Sequence, residues 1–447
     1  MKKNFLYIIL IVFFIAALGF VVVKYKDRQA AEKAMAYPLL NRNQNNNIAE
    51  WEFAKKNVDE LLAKLKTKPD DIKTSIALAN AYITEGRISG NYNYYDKAAY
   101  KTVSTILEKN PNQYDALLLK SLLQLSQHHF AEGLATAQLC ANINPNNAFV
   151  YGLLVDANIE MGYYQAALDA AEKMITIRPD IRSYSRISYL REIHGDYNGA
   201  VEAMQLAVTA GVPSEESTEW CRVQLGRLYE HTGEVDKAEY QYKLSLAARP
   251  GYANALQGMA RIAAHRNKTD SAIYFLEQAS ALINDLDIKQ NLATAYQAAG
   301  NNKKAEQLFS DILKENAGNA NLAVDDPETG HYSDKEIAYL YIQLDKRDQA
   351  LGHALAEYNR RPKNNDVNEM MAWIYYKRNE LNKALPYIQS AMQTGSKSPE
   401  LLAIAGLIQY KLGNTAEAKA LLTQACIDNP VMPYTLSKET KTVFKKI

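Results

Sequence analysis

The sequence has few cysteines and no surplus of charge of either sign. Its 447 residues include three cysteines, Cys140, Cys221 and Cys426, and an odd number gives no closed disulfide framework. Lysine and arginine together number 51 against 50 aspartates and glutamates, so the basic surplus typical of binding to nucleic-acid phosphates is missing. We therefore expect no nucleic-acid partner, and we interpret the cysteines as buried small hydrophobic residues.

The usual motifs of catalytic and cofactor sites are also missing. The sequence contains no G-x-x-x-x-G-K-[ST], G-x-G-x-x-G, H-E-x-x-H or G-x-S-x-G. Residues 325–330 resemble a calcium loop, but Pro327 stands where the third-position carboxylate belongs. The neighbours His128 and His129 supply too few ligands for a metal. The sequence therefore predicts no enzyme activity, no cofactor and no metal site.

One long apolar run lies near the N-terminus. Residues 5–23 carry no charge, and their number matches the ~17–25 residues that cross a bilayer as a helix. The run continues past the small residues Ala17 and Gly19, which argues against a cleaved signal peptide, although cleavage stays an alternative. The basic residues on its two sides nearly balance under the positive-inside rule. We expect residues 1–4 to be a tail, residues 5–23 a cell-membrane anchor, and the remaining chain to lie outside the cytoplasm.

A polar linker and a first helix follow the run. Residues 24–47 are basic and then rich in asparagine, and we expect them to be a linker. Residues 41–47 are too polar and too poor in hydrophobic residues to pack, so they are expected to form a tether. Val58, Leu61 and Leu65 then recur at helical spacing. Residues 48–70 are therefore predicted to form an N-terminal capping helix, and residues 431–447 a polar capping helix at the other end.

A repeat of about 34 residues fills most of the chain between these caps. Each unit contains two helical segments, a glycine-containing turn between them and an Asn/Pro-rich turn after them. Because one such hairpin cannot bury both of its faces, the units must stack. The pattern predicts an all-α solenoid of about ten helix-turn-helix units over residues 71–430. A small residue marks the closest approach of the two helices in each unit, at Ala99, Gly133, Ala167, Ala200, Ala238, Ala272, Ala305, Ala350, Ala384 and Ala418.

The clearest unit, residues 219–251, resembles the tetratricopeptide repeat (TPR) family. The family's signature residues stand there in register at Leu225, Gly226, Tyr229, Ala238, Tyr242 and Pro250. The resemblance implies a superhelix with a concave face that binds protein or peptide segments, in a membrane-anchored member of the bacterial type. Two units are longer than the period, which predicts loop insertions near residues 87–96 and 317–333, on the binding face or inert.

The resemblance also indicates which side chains line the concave face. Carried onto this sequence, the family's inward positions give a candidate peptide groove of Arg182, Arg186, Tyr189, Arg227, His231, Gln257, Arg261, His265, Gln290, Thr294, Lys335, Tyr339 and Trp373. Arginine recurs at 227 and 261, and guanidinium groups pair carboxylates in a bidentate manner. We expect an acidic peptide partner, unless these arginines pair internally with residues such as Glu230 or Asp156.

Taken together, these features favour a membrane-tethered, non-catalytic scaffold for protein–protein interaction. A cell-surface protein that binds glycans or nutrients is the first alternative. An enzyme with an unfamiliar site near His331 and Asp334 is the second. The sequence does not identify the partner.

Overall fold

A computed structural model describes residues 14, 19–21, 37–42, 47–325 and 330–447, with the side chains of 316–325 excepted. Regular secondary structure in these ranges is helical throughout, which confirms the all-α prediction. The helices from residue 48 onward are α1 (Ile48–Thr67), α2 (Ile72–Ser89), α3 (Tyr92–Lys109), α4 (Tyr114–Ser126), α5 (Phe130–Ile143), α6 (Ala148–Glu160), α7 (Tyr164–Ile177), α8 (Ile181–Ile193), α9 (Tyr197–Ala210), α10 (Glu216–His231), α11 (Val235–Ala248), α12 (Ala253–His265), α13 (Thr269–Leu282), α14 (Leu286–Ala298), α15 (Asn302–Asp325), α16 (Asp334–Gln343), α17 (Arg347–Arg360), α18 (Asn365–Lys377), α19 (Leu381–Ala391), α20 (Pro399–Lys411), α21 (Thr415–Cys426) and α22 (Tyr434–Phe444).

Helices α2 to α21 pack as consecutive pairs, from α2 with α3 to α20 with α21. The nine alanines that mark the repeat are 0–2% exposed, and Gly133 is buried as well. A Cβ added at Gly133 would lie 2.6 Å from Leu125 Cδ2, so the two helices meet too closely for a side chain there. The repeat in the sequence is therefore a repeat of tight helix–helix contacts.

The stack of pairs is curved, with the first helix of each pair on the inner side. Successive first helices, such as α10 and α12 or α18 and α20, contact each other in addition to contacting their own partners. Such contacts are expected on the shorter side of a curved stack. We call the surface formed by these first helices the inner face. Helix α1 packs on α2, and α22 packs on α20 and α21.

The stack coils until its later pairs touch its earlier ones. The turn inside each early pair meets a connection much further along the chain, through hydrogen bonds that join residues 201 to 205 positions apart. We call these the layer contacts. Their main-chain members include Asn284 N to Ser89 O (3.4 Å), Tyr332 N to Gln127 O (3.1 Å) and Val431 N to Glu230 O (3.0 Å).

Glycine permits the closest layer contacts. Gly162 and Gly233 have left-handed backbone angles, φ of 75° and 74°, and a Cβ at either would overlap the carbonyl group of Lys363 or Asp428 in the facing layer. Gly413 has a similar φ of 85°, but nothing lies within 4 Å of an added Cβ. The first two positions therefore require glycine for its backbone angle and also for its lack of a side chain.

Ion pairs also connect the two layers, next to the layer contacts. Glu50 of α1 accepts two hydrogen bonds from the Arg249 guanidinium, at 2.8 and 2.9 Å. Arg87 pairs with Glu216 at 2.7 Å, and a buried Arg361 pairs with Glu160. A paired, hydrogen-bonded guanidinium fixes geometry more than it adds stability, so we assign these pairs to the alignment of the two layers.

Part of the predicted linker 24–47 packs on the first pair instead of forming a polar tether. Residues 37–42 have no regular secondary structure. Tyr37 and Leu39 pack against the hydrophobic core around the first pair, and tyrosine hydroxyls form hydrogen bonds with the main chain of this segment. These bonds are Tyr82 Oη to Tyr37 O (2.7 Å), Tyr94 Oη to Pro38 O (2.7 Å) and Leu40 N to Tyr95 Oη (2.8 Å). Arg42, 8% exposed, donates to both carboxylate oxygens of Glu85.

Most of the described residues in the two predicted loop insertions are helical; Gly90, Asn91 and residues 330–333 are not. The extra residues near 87–96 lengthen α2 and α3 to 18 residues each, with only Gly90 and Asn91 between them. The residues from 317 onward continue α15, which has 24 residues and ends at Asp325. Extending a helix satisfies its own backbone groups, which a loop of the same length must do with other partners. Residues 326–329 lie outside the described residues.

The predicted location in the cell membrane is wrong. Across the part of the chain that the structure describes, every helix is too short or too polar to cross a membrane. Most of the predicted anchor, residues 5–23, lies outside the described residues.

We expect Gly233→Ala to destabilise the fold more than Gly413→Ala. Both replacements force a side chain into the left-handed region, at about 1–2 kcal/mol. Gly233→Ala also overlaps the facing layer, which adds about 1–3 kcal/mol. Free energies of unfolding from urea denaturation measure the difference, and equal values for the two variants would contradict a close layer contact at Gly233.

Candidate functional site

Two of the predicted groove arginines are paired within the inner face. Arg186 bonds both carboxylate oxygens of Asp156, at 2.9 and 2.5 Å. Arg261 bonds Glu230 at 2.8 Å and the Tyr242 hydroxyl at 3.1 Å. Glu230 is buried, so its carboxylate requires this partner. These side chains hold neighbouring pairs of helices together, and their charges are already neutralised.

His231 and Lys335 of the predicted groove also have carboxylate partners. His231 Nδ1 lies 3.1 Å from Glu192 Oε1. Burial acts to lower the pKa of His231, but Glu400 and Glu192 outweigh it, and the pKa is raised. Lys335 Nζ lies 3.5 Å from Asp366 Oδ2, and its pKa is raised by carboxylates against the opposing effect of burial.

Two predicted arginines remain available on the inner face. Arg182 is exposed and lies over the Phe149 ring, 5.5 Å from its centroid. Arg227 is exposed and forms no salt bridge with another described residue. Two separate guanidinium groups are a smaller basic surface than the sequence predicts. The expectation of an acidic partner is therefore not supported.

The polar and aromatic groove residues differ in their exposure to solvent. Tyr189 is 39% exposed, while Gln257, Thr294 and Tyr339 are half-buried. Gln290 has a buried Nε2 without a hydrogen-bond partner in the described part. His265 belongs to a layer contact, because its Nε2 lies 3.1 Å from Asn429 Nδ2. The open part of the inner face is thus the part around Tyr189.

The C-terminal end of the inner face is covered by the chain itself. Trp373 is 9% exposed and stacks on Tyr376 with ring centroids 5.3 Å apart. Glu439 of α22 accepts hydrogen bonds from the Tyr376 hydroxyl at 2.7 Å and from Lys377 Nζ at 2.6 Å. Trp373 is therefore buried beside Glu439 of the same chain.

The inner face also carries a group of acidic residues that was not predicted from the sequence, Asp366, Glu369 and Glu400, which we call the carboxylate cluster. Burial and then the charges of Asp366 and Glu400 raise the pKa of Glu369 to about 8, and Lys335 only partly offsets them. Glu369 makes no hydrogen bond or salt bridge within the described residues. These acidic residues occupy the same inward-facing positions of the repeat as the predicted arginines. A search of those positions for acidic side chains would have found them.

Tyrosines face the carboxylate cluster from the other layer and from α16. The charge of Asp366, together with burial, raises the pKa of Tyr189 well above its ordinary value. Burial, Glu369 and Asp366 do the same for Tyr339. The site therefore joins negative charge and aromatic surface at one partly exposed place on the inner face, and this combination is suited to a cation.

No family model matches the chain. Cellulose synthase operon protein C of Pseudomonas fluorescens is 24% identical over 382 residues, covering 81% of this chain but only 26% of that relative. The chain thus spans about a quarter of its length.

Solved structures similar to the chain are TPR proteins. One from Parabacteroides merdae is 13% identical and covers 58% of this chain and 93% of its own, with a TM-score of 0.39. A second, from Thermus thermophilus, is 20% identical and covers 41% of this chain and 98% of its own, with a TM-score of 0.36. A third, YrrB, is described as a TPR protein with an unusual peptide-binding site. It is 18% identical, and the match covers 44% of this chain and 97% of YrrB, with a TM-score of 0.30.

We expect Glu369→Gln to stabilise the protein at alkaline pH. The pKa of Glu369 in the folded chain, about 8, exceeds its ordinary value of 4.5. The folded state therefore retains a proton that the unfolded state has lost, and stability falls as the pH rises from 4.5 to 8. Denaturation at pH 5 and pH 8 should show the variant gaining, relative to wild type, on the order of 1 kcal/mol at the higher pH.

Glu417→Gln is the matched control, because Glu417 is an exposed carboxylate on the outer helix α21. Its stability should follow wild type at both pH values. A Glu369→Gln variant whose difference from wild type is the same at pH 5 and pH 8 would contradict the enclosed carboxylate.

Proposed function

We propose that the protein is a non-catalytic scaffold that binds an extended protein segment on its inner face, with a lysine or arginine of that segment on the carboxylate cluster. The fold supports the general part of this proposal, since an all-α TPR-like solenoid is typical of protein-interaction scaffolds. The charge distribution supports the specific part, and it reverses the acidic partner expected from the sequence.

The observation that carries the proposal is the unpaired Glu369 beside Asp366 and Glu400. Like charges close to one another raise one another's free energy, and Lys335 offsets the negative charge around Glu369 only in part. Strongly perturbed groups of this kind are concentrated at functional sites. A lysine or arginine of a partner would reduce the repulsion among the three carboxylates and would give Glu369 a salt bridge.

The chain already binds cations on this surface in the same manner. Lys377 Nζ lies 4.1 Å from the Trp373 ring centroid while it bonds Glu439. Lys411 Nζ lies 3.9 Å from the Tyr376 ring centroid. Both contacts combine an aromatic ring with a nearby carboxylate. Tyr189 and Tyr339 offer the same combination at the carboxylate cluster, with no lysine of the chain over either ring in the described part.

Binding of labelled peptides tests the proposal. Fluorescence anisotropy would compare extended peptides of equal length that carry lysine and arginine, aspartate and glutamate, or only neutral side chains. We expect the basic peptides to bind best, with an affinity that falls as salt is added. Replacement Glu369→Lys should weaken their binding by about tenfold or more, because it substitutes repulsion for attraction.

Glu417→Lys makes the same change of charge on the outer surface and should bind as wild type does. Circular dichroism would show that both variants keep their helices. Preference for the acidic peptides, or equal affinity of wild type and Glu369→Lys for the basic ones, would refute the assignment.

A further inference from the structure

A second group of side chains with ligand chemistry lies at a layer contact, away from the carboxylate cluster. His128 is in the turn between α4 and α5, whereas His331 precedes α16 and Glu336 lies in its first turn. His128 and His331 are far apart in the sequence, since α5 and the five complete pairs of helices from α6 to α15 separate them. The coiling of the stack brings them together with Glu336.

The three side chains are close enough to share one ion. Each offers one ligand atom, and these atoms all lie within 4.8 Å of one another. The rings of His128 and His331 have centroids 4.2 Å apart. A four-coordinate metal ion at ordinary distances of about 2.0–2.2 Å holds its ligand atoms about 3.3–3.6 Å apart, so binding requires the three side chains to move together by about 1 Å.

The surroundings hold His128 in the manner of a metal ligand. Its Nδ1 lies 2.9 Å from the carbonyl oxygen of Tyr332. When Nδ1 donates this hydrogen bond, Nε2 carries the free lone pair that a metal requires, and a backbone acceptor on the second ring nitrogen is usual for metal-bound histidine. His128 also has a left-handed φ of 64° in a turn where most other pairs have glycine, asparagine or aspartate.

Glu336 supplies an independent indication of a missing ligand. Its Oε2 is buried and has no hydrogen-bond partner among the described residues, although a buried carboxylate oxygen normally has one.

We propose that His128, His331 and Glu336 bind one divalent transition-metal ion, zinc in the first place, which cross-links the two layers of the solenoid. Two imidazoles and one carboxylate are a common ligand set for zinc. Water occupies the fourth position. The ion connects the turn of the second pair of helices to the start of the eighth pair. It therefore stabilises the coiled arrangement in addition to the layer contacts.

Zinc titration of the full chain tests the site. After removal of metals with a chelator, isothermal titration calorimetry should show one zinc ion per chain and a rise in melting temperature on binding. His331→Gln and Glu336→Gln should each weaken binding by about tenfold or more, since each removes a direct ligand. Glu369→Gln should leave zinc affinity unchanged, which separates this site from the proposed peptide site.

His129→Gln is the matched control. His129 belongs to the same layer contact, with Nε2 2.6 Å from Gly330 O and its ring stacked on Tyr332 at 4.2 Å, but it is outside the three-residue cluster. It should bind zinc as wild type does. Equal zinc affinity of wild type, His331→Gln and Glu336→Gln would overturn the proposal.

Cobalt substitution gives a second readout that does not depend on variants. Cobalt bound by two histidines and a carboxylate in a four-coordinate site has intense visible absorption bands, and zinc should displace it. Wild-type protein without these bands at stoichiometric cobalt would also overturn the proposal, even if every variant failed to fold.

Discussion

The structure depends on the contact between one coil of the solenoid and the next. Stacked hairpins alone require only that neighbouring pairs pack, and their energetics are then local. Here the turn of an early pair also meets backbone 201 residues later, as in the hydrogen bond from Thr394 Oγ1 to Ile193 O. Such contacts couple the stability of pairs that are distant in the sequence. A change of curvature at one pair would move the two layers apart and break contacts along their whole length.

Coiling also determines the chemistry of the inner face. Side chains on an open curved surface would be solvated, and their charges screened. Where a second layer covers the surface, charges interact strongly and cannot be left unpaired without cost. The arginines at 186 and 261 have partners, and Arg42 is enclosed by Glu85 and Glu50. Asp366 of the carboxylate cluster pairs with Lys335, but Glu369 forms no salt bridge within the described residues. Glu369 is therefore the centre of the proposed binding site.

The helical pairs were predictable from the sequence, since a small residue recurs at each closest approach and the period fixes which helix follows which. The partners of Arg186 and Arg261 were considered only as an alternative, because composition does not show which charges face each other. The layer contacts were not predictable, since they depend on a rotation accumulated over several pairs. A weak signal existed in the turns: His128 stands where Gly162 and Gly233 occur in other pairs, and its side chain reaches the facing layer.

Coiling into touching layers is the central claim, and a distance across the contact tests it most directly. Lys363 Nζ lies 5.4 Å from the Tyr163 ring centroid, so spin labels on cysteines at these two positions, with the three native cysteines replaced, report on one layer contact. The account predicts a single short distance in double electron–electron resonance, which disappears on unfolding. A long or broad distribution in the folded protein would contradict it.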